Sequence, residues 1–335
     1  MPERKERTKN SIYIFSKKVM TSGTIDSQSD RKQRSSTEKT IDRSFIWLTA
    51  IFAFGIAGVL VWIAIQVGLQ AIPAIKEFGW SFLTGSAWNP PEKKYAILPM
   101  IYGTVVSSLI ALLIAFPVGV ACAIVLSENF IPKSARRTLV FLVELLAAIP
   151  SVVYGLWGIY VLIPFLKPIG SWLHDNLGWI PLFSTQYIGP GMFPAGIILA
   201  IMILPLITAI ARDSLASLPP DLRSGSYAVG STRWQTIFSV LIPAAFSGIV
   251  GGTMLALGRA LGETMAATLV IGNSNDLNFS VLAPANTIAS LMANQFSEAS
   301  GLQRQSLMYA GLVLFAITLV VNILAESIIQ KVKKY

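Results

Sequence analysis

Histidine and cysteine are nearly missing from this sequence, and their scarcity removes whole classes of chemistry. His174 is the only histidine and Cys122 the only cysteine among 335 residues. A single cysteine permits no intrachain disulfide and no thiolate metal cluster. A single histidine leaves no material for a zinc site of the usual composition or for a histidine-based catalytic triad. Charge is scarce as well, at 13% of residues, against about 25% in soluble domains. No G-x-x-x-x-G-K-[ST] sequence occurs, so the chain cannot cradle ATP phosphates by that route.

What is abundant is apolar surface: 53% of residues are hydrophobic, and the mean hydropathy is +0.63. The formal charge of +9 points to nucleic acid or to an anionic membrane face, and its distribution decides between them. Eleven of the 26 Lys and Arg lie before Phe45, and most others flank long apolar runs. No patch of interleaved basic and aromatic residues is present, so lipid is the expected environment.

Crossing about 30 Å of hydrocarbon at 1.5 Å per residue takes about 20 apolar residues. Six stretches satisfy this, at Phe45–Leu69, Leu98–Leu126, Leu139–Leu166, Phe193–Ile210, Ala244–Ile271 and Leu307–Ile329. Pro117, Pro150, Pro164 and Pro205 fall inside them, with a re-entrant break at Pro150 as an alternative to a continuous third span. Prolines at membrane depth need neighbours to meet the freed carbonyls, which suits a bundle lining a path. The expected fold class is therefore an all-α polytopic membrane protein of six transmembrane helices. Residues 1–44 form a basic, Ser/Thr-rich tail too poor in apolar residues for a core, with Ile12–Lys18 as a candidate surface segment. Residues 45–70 are the first span, 71–97 a loop, and 98–330 a five-helix core.

If six spans alternate, the tail, Ser127–Thr138 (Lys133, Arg136, Arg137), Arg212–Pro243 (Arg212, Arg223, Arg233) and the Lys331–Lys334 end share one side. The opposite loops are poorer in Lys and Arg and carry Trp80, Trp88, Trp172 and Trp179, as an interfacial belt would. This places both termini in the cytoplasm. The outer segment Lys167–Met192 is expected to form short surface helices that receive a partner.

Glu144, Arg259 and Glu263 are the ionisable residues within the expected spans, and charge at that depth marks function unless it is paired. On a continuous helix Arg259 and Glu263, spaced i,i+4, share one face within salt-bridge reach; a buried structural ion pair is the competing reading. A guanidinium can return charge-assisted hydrogen bonds to a dehydrated oxyanion, and a nearby carboxylate can weaken that complex enough for release. Glu144, near the end of its span, is equally suited to a structural role. Gly248, Gly251, Gly252, Ala256, Gly258 and Gly262 form a small-residue stripe, with Gly258 and Gly262 as a G-x-x-x-G for helix packing.

The segment 213–243 is the most specific signal. It carries Arg223, Ser224-Gly225-Ser226, then Gly230, nine residues, and Val240-Leu-Ile242-Pro243. This resembles the cytoplasmic coupling loop of ABC importer permeases, E-A-A, three residues, Gly, nine residues, I-x-L-P, with Ser-Gly-Ser in place of Glu-Ala-Ala. Leu257–Met265, Val270–Asn273 and Ile149–Trp157 narrow the resemblance to PstC-type permeases, from about Phe45 to the C-terminus. The resemblance implies the type I ABC importer permease fold in a bacterial inner membrane and transport of inorganic phosphate, without a cofactor. It also implies a second permease subunit of PstA type, two ATPase subunits of PstB type, a phosphate-binding protein of PstS type, and passage of phosphate by Arg259 and Glu263. A permease for sulfate, molybdate or phosphonate fits the charged pair equally well. An intramembrane enzyme lacks a dyad in any span, and a non-transporting scaffold leaves Arg259 and the loop unexplained.

Overall fold

The computed structural model describes residues 36–332; the expectations for residues 1–35, including Ile12–Lys18, and for Lys333 and Lys334 fall outside them. Six of the described helices are long and apolar enough to cross a membrane: Arg43–Phe78, Leu98–Ser127, Ser151–Leu177, Met192–Ala216, Arg233–Leu261 and Gly301–Ser327. Among the described residues there is no strand, only isolated bridges at Asn89–Lys94 and Gly272–Ala285.

Helix α1 runs from Ser36 to Phe78, so 36–44 of the expected tail and 71–78 of the expected loop are helical. The described residues divide into two units, on either side of the Trp62–Ile63 bond. In the first, the side chains of Phe45, Trp47, Phe52, Phe54 and Trp62 are all exposed within this chain.

The second unit is built around α3 (Leu98–Ser127) and α7 (Met192–Ala216), after a short α2 (Ser81–Thr84). Lipid tails are as apolar as leucine, so helices in a bilayer associate through close packing more than through hydrophobic burial. The contact is made accordingly. A Cβ on Gly196 would lie 2.5 Å from Ile110, and one on Gly119 would lie 2.9 Å from Ile207. Ala111, Ala115, Leu199, Ala200, Ile203 and Ile207 form one core here.

The third expected span is divided. Helix α4 (Lys133–Ala148) ends before Ile149-Pro150, and the crossing helix begins with α5 (Ser151–Trp157) and continues as α6 (Ile163–Leu177). Pro150 disfavours helical geometry at the residue before it, and Ile149 sits at φ −66, ψ 129. As a result 167–177 belong to the span, and the expected outer surface helices shrink to one 3₁₀ turn, Pro181–Phe183.

Two other prolines are accommodated without a break. Between α5 and α6 the helix widens to a π turn over Gly158–Leu162, where Ile163 donates its N–H to the Gly158 carbonyl. After α8 (Pro220–Ala228) and α9 (Arg233–Thr236) the same occurs over Ile237–Leu241, with Ile242 donating to Ile237, and α10 (Ile242–Leu261) follows. Pro164 and Pro243 come next in sequence. A proline lacks the N–H and its ring crowds the carbonyl four residues back; a wider turn just before it relieves that crowding and keeps the helix continuous.

Two short helices, α11 (Met265–Val270) and α12 (Ile288–Gln295), and the last span, α13 (Gly301–Val332), complete the unit. Phe82, Trp88, Tyr95, Met100, Ile288 and Leu307 form a core at the α12 end. Trp88, expected in an interfacial belt, is buried, and its Nε1 donates to Gln295 Oε1 at 2.8 Å. Trp80, Trp172 and Trp179 are exposed.

Candidate functional site

The fifth span stops sooner than its apolar pattern suggests. Helix α10 ends at Leu261 and Gly262 caps it, donating its N–H to the Gly258 carbonyl. The chain turns through Gly262–Thr264 and α11 starts at Met265. Arg259 therefore lies in the last turn of α10, and Glu263 lies in the break, so the expected i,i+4 face of one continuous helix does not form. Among the described residues no ion pair joins them. Glu263 Oε1 instead accepts the Ala266 N–H at 3.3 Å, at the start of α11.

Each charge suits its helix end: a cation opposes the partial negative charge where α10 ends, and a carboxylate opposes the positive one where α11 begins. Arg259 is exposed within this chain and Glu263 half-buried. Among the described residues no side chain pairs with the Arg259 guanidinium, so five donors and a fixed positive charge face outward at a helix break, an arrangement able to bind an oxyanion.

The break is held by α5. A Cβ on Gly155 would lie 2.5 Å from Leu269 Cδ1 and 3.2 Å from Ala266 Cα, and one on Gly158 would lie 2.6 Å from Val270. The tertiary structure so brings together Ile149–Trp157 and the Leu257–Asn273 region, more than 100 residues apart in sequence. Among the stripe of small residues, Gly248 meets Ser214 and Gly252 meets Ile210, both on α7, whereas Gly251 and Gly258 face open space. A Cβ on Gly262 would meet only the Gly258 carbonyl, at 3.6 Å, and one on Gly258 would meet nothing within 4 Å among the described residues.

Glu144 is not in a span. It lies on α4, largely exposed, 3.9 Å from Arg212 Nη1, while Arg212 pairs with Asp213 at 2.8 Å. A pair this open contributes little.

In segment 213–243, Ser224 and Gly225 are exposed on α8 and Ser226 is buried. Gly230 has φ +83, a left-handed conformation, with nothing within 4 Å of a built Cβ. Thr232 and Gln235 then form a capping box that starts α9, and the span begins there. Val240 and Ile242 are already helical and pack against a core of Ile124, Leu215, Leu241 and Ile249.

Residues 115–334 match the family described as binding-protein-dependent transport system inner membrane component. The chain is 43% identical over 299 residues to the "Phosphate transport system permease protein PstC" of Haemophilus influenzae, covering 88% of this chain and 95% of that one. It is 37% identical over 274 residues to the "Probable phosphate transport system permease protein PstC" of Methanocaldococcus jannaschii, covering 79% and 86%. The chain belongs to the PstC permease family. A permease chain in the crystal structure of a bacterial alginate ABC transporter, in complex with alginate pentasaccharide-bound periplasmic protein, has the same fold, with TM-score 0.59 and 18% identity over 88% of this chain and 98% of that one. This PstC-family chain is thus a multi-pass membrane protein with the six-helix architecture of ABC importer permeases.

Two contacts of this PstC-family fold escape a reading of the sequence. Arg223, on α8, reaches Glu128 at the end of α3, with Nη2 2.8 Å and Nε 3.2 Å from Oε1. Glu128 is 6% exposed, and unpairing such a charge costs about 3–5 kcal/mol. The partners are 95 residues apart, so no local pattern announces them. Ser226 Oγ and Thr236 Oγ1 stand 2.9 Å apart and buried, and the departure from alanine at 226 was the available signal.

Proposed function

We propose that this chain is the permease subunit through which an ATP-driven importer moves inorganic phosphate across the inner membrane. The observation that carries the reading is the likeness to PstC proteins over most of both chains, joined to an outward-facing guanidinium, Arg259, at the break of the fifth span. Arg259 donates paired hydrogen bonds to the dehydrated anion as it passes. Glu263, across the break, competes for Arg259 and keeps phosphate from being trapped.

The face bearing Gly251, Gly258, Gly262 and Arg259 receives a second permease subunit of PstA type, so the path runs between the two chains. In this reading the termini and 213–243 face the cytoplasm, the side that their Lys and Arg favour. There α8 and Gly230 dock on separate ATPase subunits of PstB type, and a binding protein of PstS type delivers phosphate on the other side. Glu144 lines no path in this reading and supports α4 against α7.

The test is ATP-dependent uptake of radiolabelled phosphate by the whole complex in proteoliposomes, with excess sulfate present, for wild type and Arg259→Gln. Uptake that resists sulfate and collapses in the variant supports the reading. Unimpaired uptake by an assembled variant removes Arg259 from the path, and competition by sulfate changes the substrate.

A further inference from the structure

Helix α8 follows α7 after only Ser217–Pro219, and a short helix on so short a tether would pivot unless something braced it. Arg223 supplies the brace in two directions. Toward α3, its Nε and Nη2 both donate to Glu128 Oε1, and Nε also approaches Oε2 at 3.4 Å. Toward α7, Nη2 donates to the Leu215 carbonyl at 2.9 Å and Nη1 to the Leu218 carbonyl at 3.4 Å. Glu128 is itself immobilised. Its N–H donates to Ile124 within the last turn of α3, its carbonyl accepts from Arg136 Nη2 at 3.0 Å, and its side chain is 7% exposed. On the other flank, the buried Ser226–Thr236 hydroxyl pair joins α8 to α9 at the root of the fifth span.

We propose that Glu128 and Arg223 form a strut that makes α8 move as one body with the cytoplasmic ends of α3 and α7. This rests on the reading that α8 docks on the ATPase. A displacement of α8 then reaches the two helices at the centre of the bundle, and through α10 the Arg259 break, without being lost in rotation of α8. Arg223 is a positioning residue here, acting on the path through these helices. The planar fork explains why arginine is required: a lysine keeps the charge but has one nitrogen, and loses the bonds that Nε makes to Glu128 and Nη1 to the Leu218 carbonyl.

The experiment compares Arg223→Lys, Arg223→Gln, Glu128→Gln and Val229→Asp in the complete importer in proteoliposomes. It measures phosphate moved, ATP hydrolysed, and ATPase subunit co-purified. With the strut, Arg223→Lys and Glu128→Gln retain the ATPase and hydrolyse ATP while phosphate moved per ATP falls about tenfold, within the usual range of coupling between sites. A merely structural contact would leave that ratio unchanged while uptake and hydrolysis fell together with the amount of assembled complex. That result, or loss of assembly in every Arg223 and Glu128 variant, overturns the strut. Val229 is 83% exposed beside Gly230, and Val229→Asp reports on docking separately. If it retains the ATPase, the docking reading fails and the strut with it; if it releases the ATPase while the ratio in Arg223→Lys is unchanged, only the strut fails.

Discussion

Gly155 of α5 lies directly against Leu269 of α11, so close that a Cβ there would stand 2.5 Å from Cδ1. The contact joins the helix after the Pro150 break to the helix after the Gly262 break, and so sets where Arg259 and Glu263 stand. Ala266 Cα, only 3.2 Å from the same built atom, cannot rotate away as a leucine methyl can. Gly155→Ala is expected to cost about 1–3 kcal/mol by overpacking and to lower the melting temperature of the detergent-solubilised complex. Adding Leu269→Ala should recover part of that loss in a double-mutant cycle. Simple additivity would show that the two residues do not meet.

Gly230 offers a backbone test free of packing effects. Its φ of +83 is left-handed and its surroundings are open, so Gly230→Ala meets only conformational strain, about 1–2 kcal/mol. Gly230→Asn should cost less, because asparagine tolerates this region. The measurement is ATPase co-purification with each variant, which should rank glycine above asparagine above alanine. Equal retention by all three would dissociate the turn from docking.

Tyr187 gives a pH signature outside the spans. It is 5% exposed, and burial pushes its phenol up to about 12. The folded value exceeds the unfolded one of about 10, so its contribution to stability is complete below pH 10 and is lost as pH rises toward 12. The loss is on the order of 2 kcal/mol. Thermal unfolding across that window should show a smaller decline for Tyr187→Phe than for wild type. Identical slopes would place the titration elsewhere.

Arg259→Lys separates charge from geometry at the break. A lysine retains attraction for an oxyanion as a point charge but not the paired hydrogen bonds. Phosphate uptake is expected to fall roughly tenfold, about 1.4 kcal/mol, less than for Arg259→Gln. Equal, near-complete loss in both would show that the planar donor set, and not the charge, carries the anion.

Six crossings were legible because lipid imposes a length and an apolar composition that no other constraint mimics. Segment 213–243 was legible only in part: Val240, Ile242 and Pro243, expected before the fifth span, lie inside it, because that helix begins at Arg233. The fates of individual prolines were not legible. Pro117 and Pro205 lie within continuous helices, Pro164 and Pro243 follow π turns, and Pro150 separates two helices. All five look alike in an apolar run.

The sequence by itself therefore determined the solvent, the number of crossings and the residue types available for binding an anion. Only the tertiary structure decided where the third and fifth helices stop, that Trp88 is core, that Glu144 stands outside the spans, and that Glu128 meets Arg223 across 95 residues. The reason is physical. Composition and period report the medium around a segment, whereas a helix break or a buried ion pair depends on which distant groups arrive to satisfy the freed backbone or the charge.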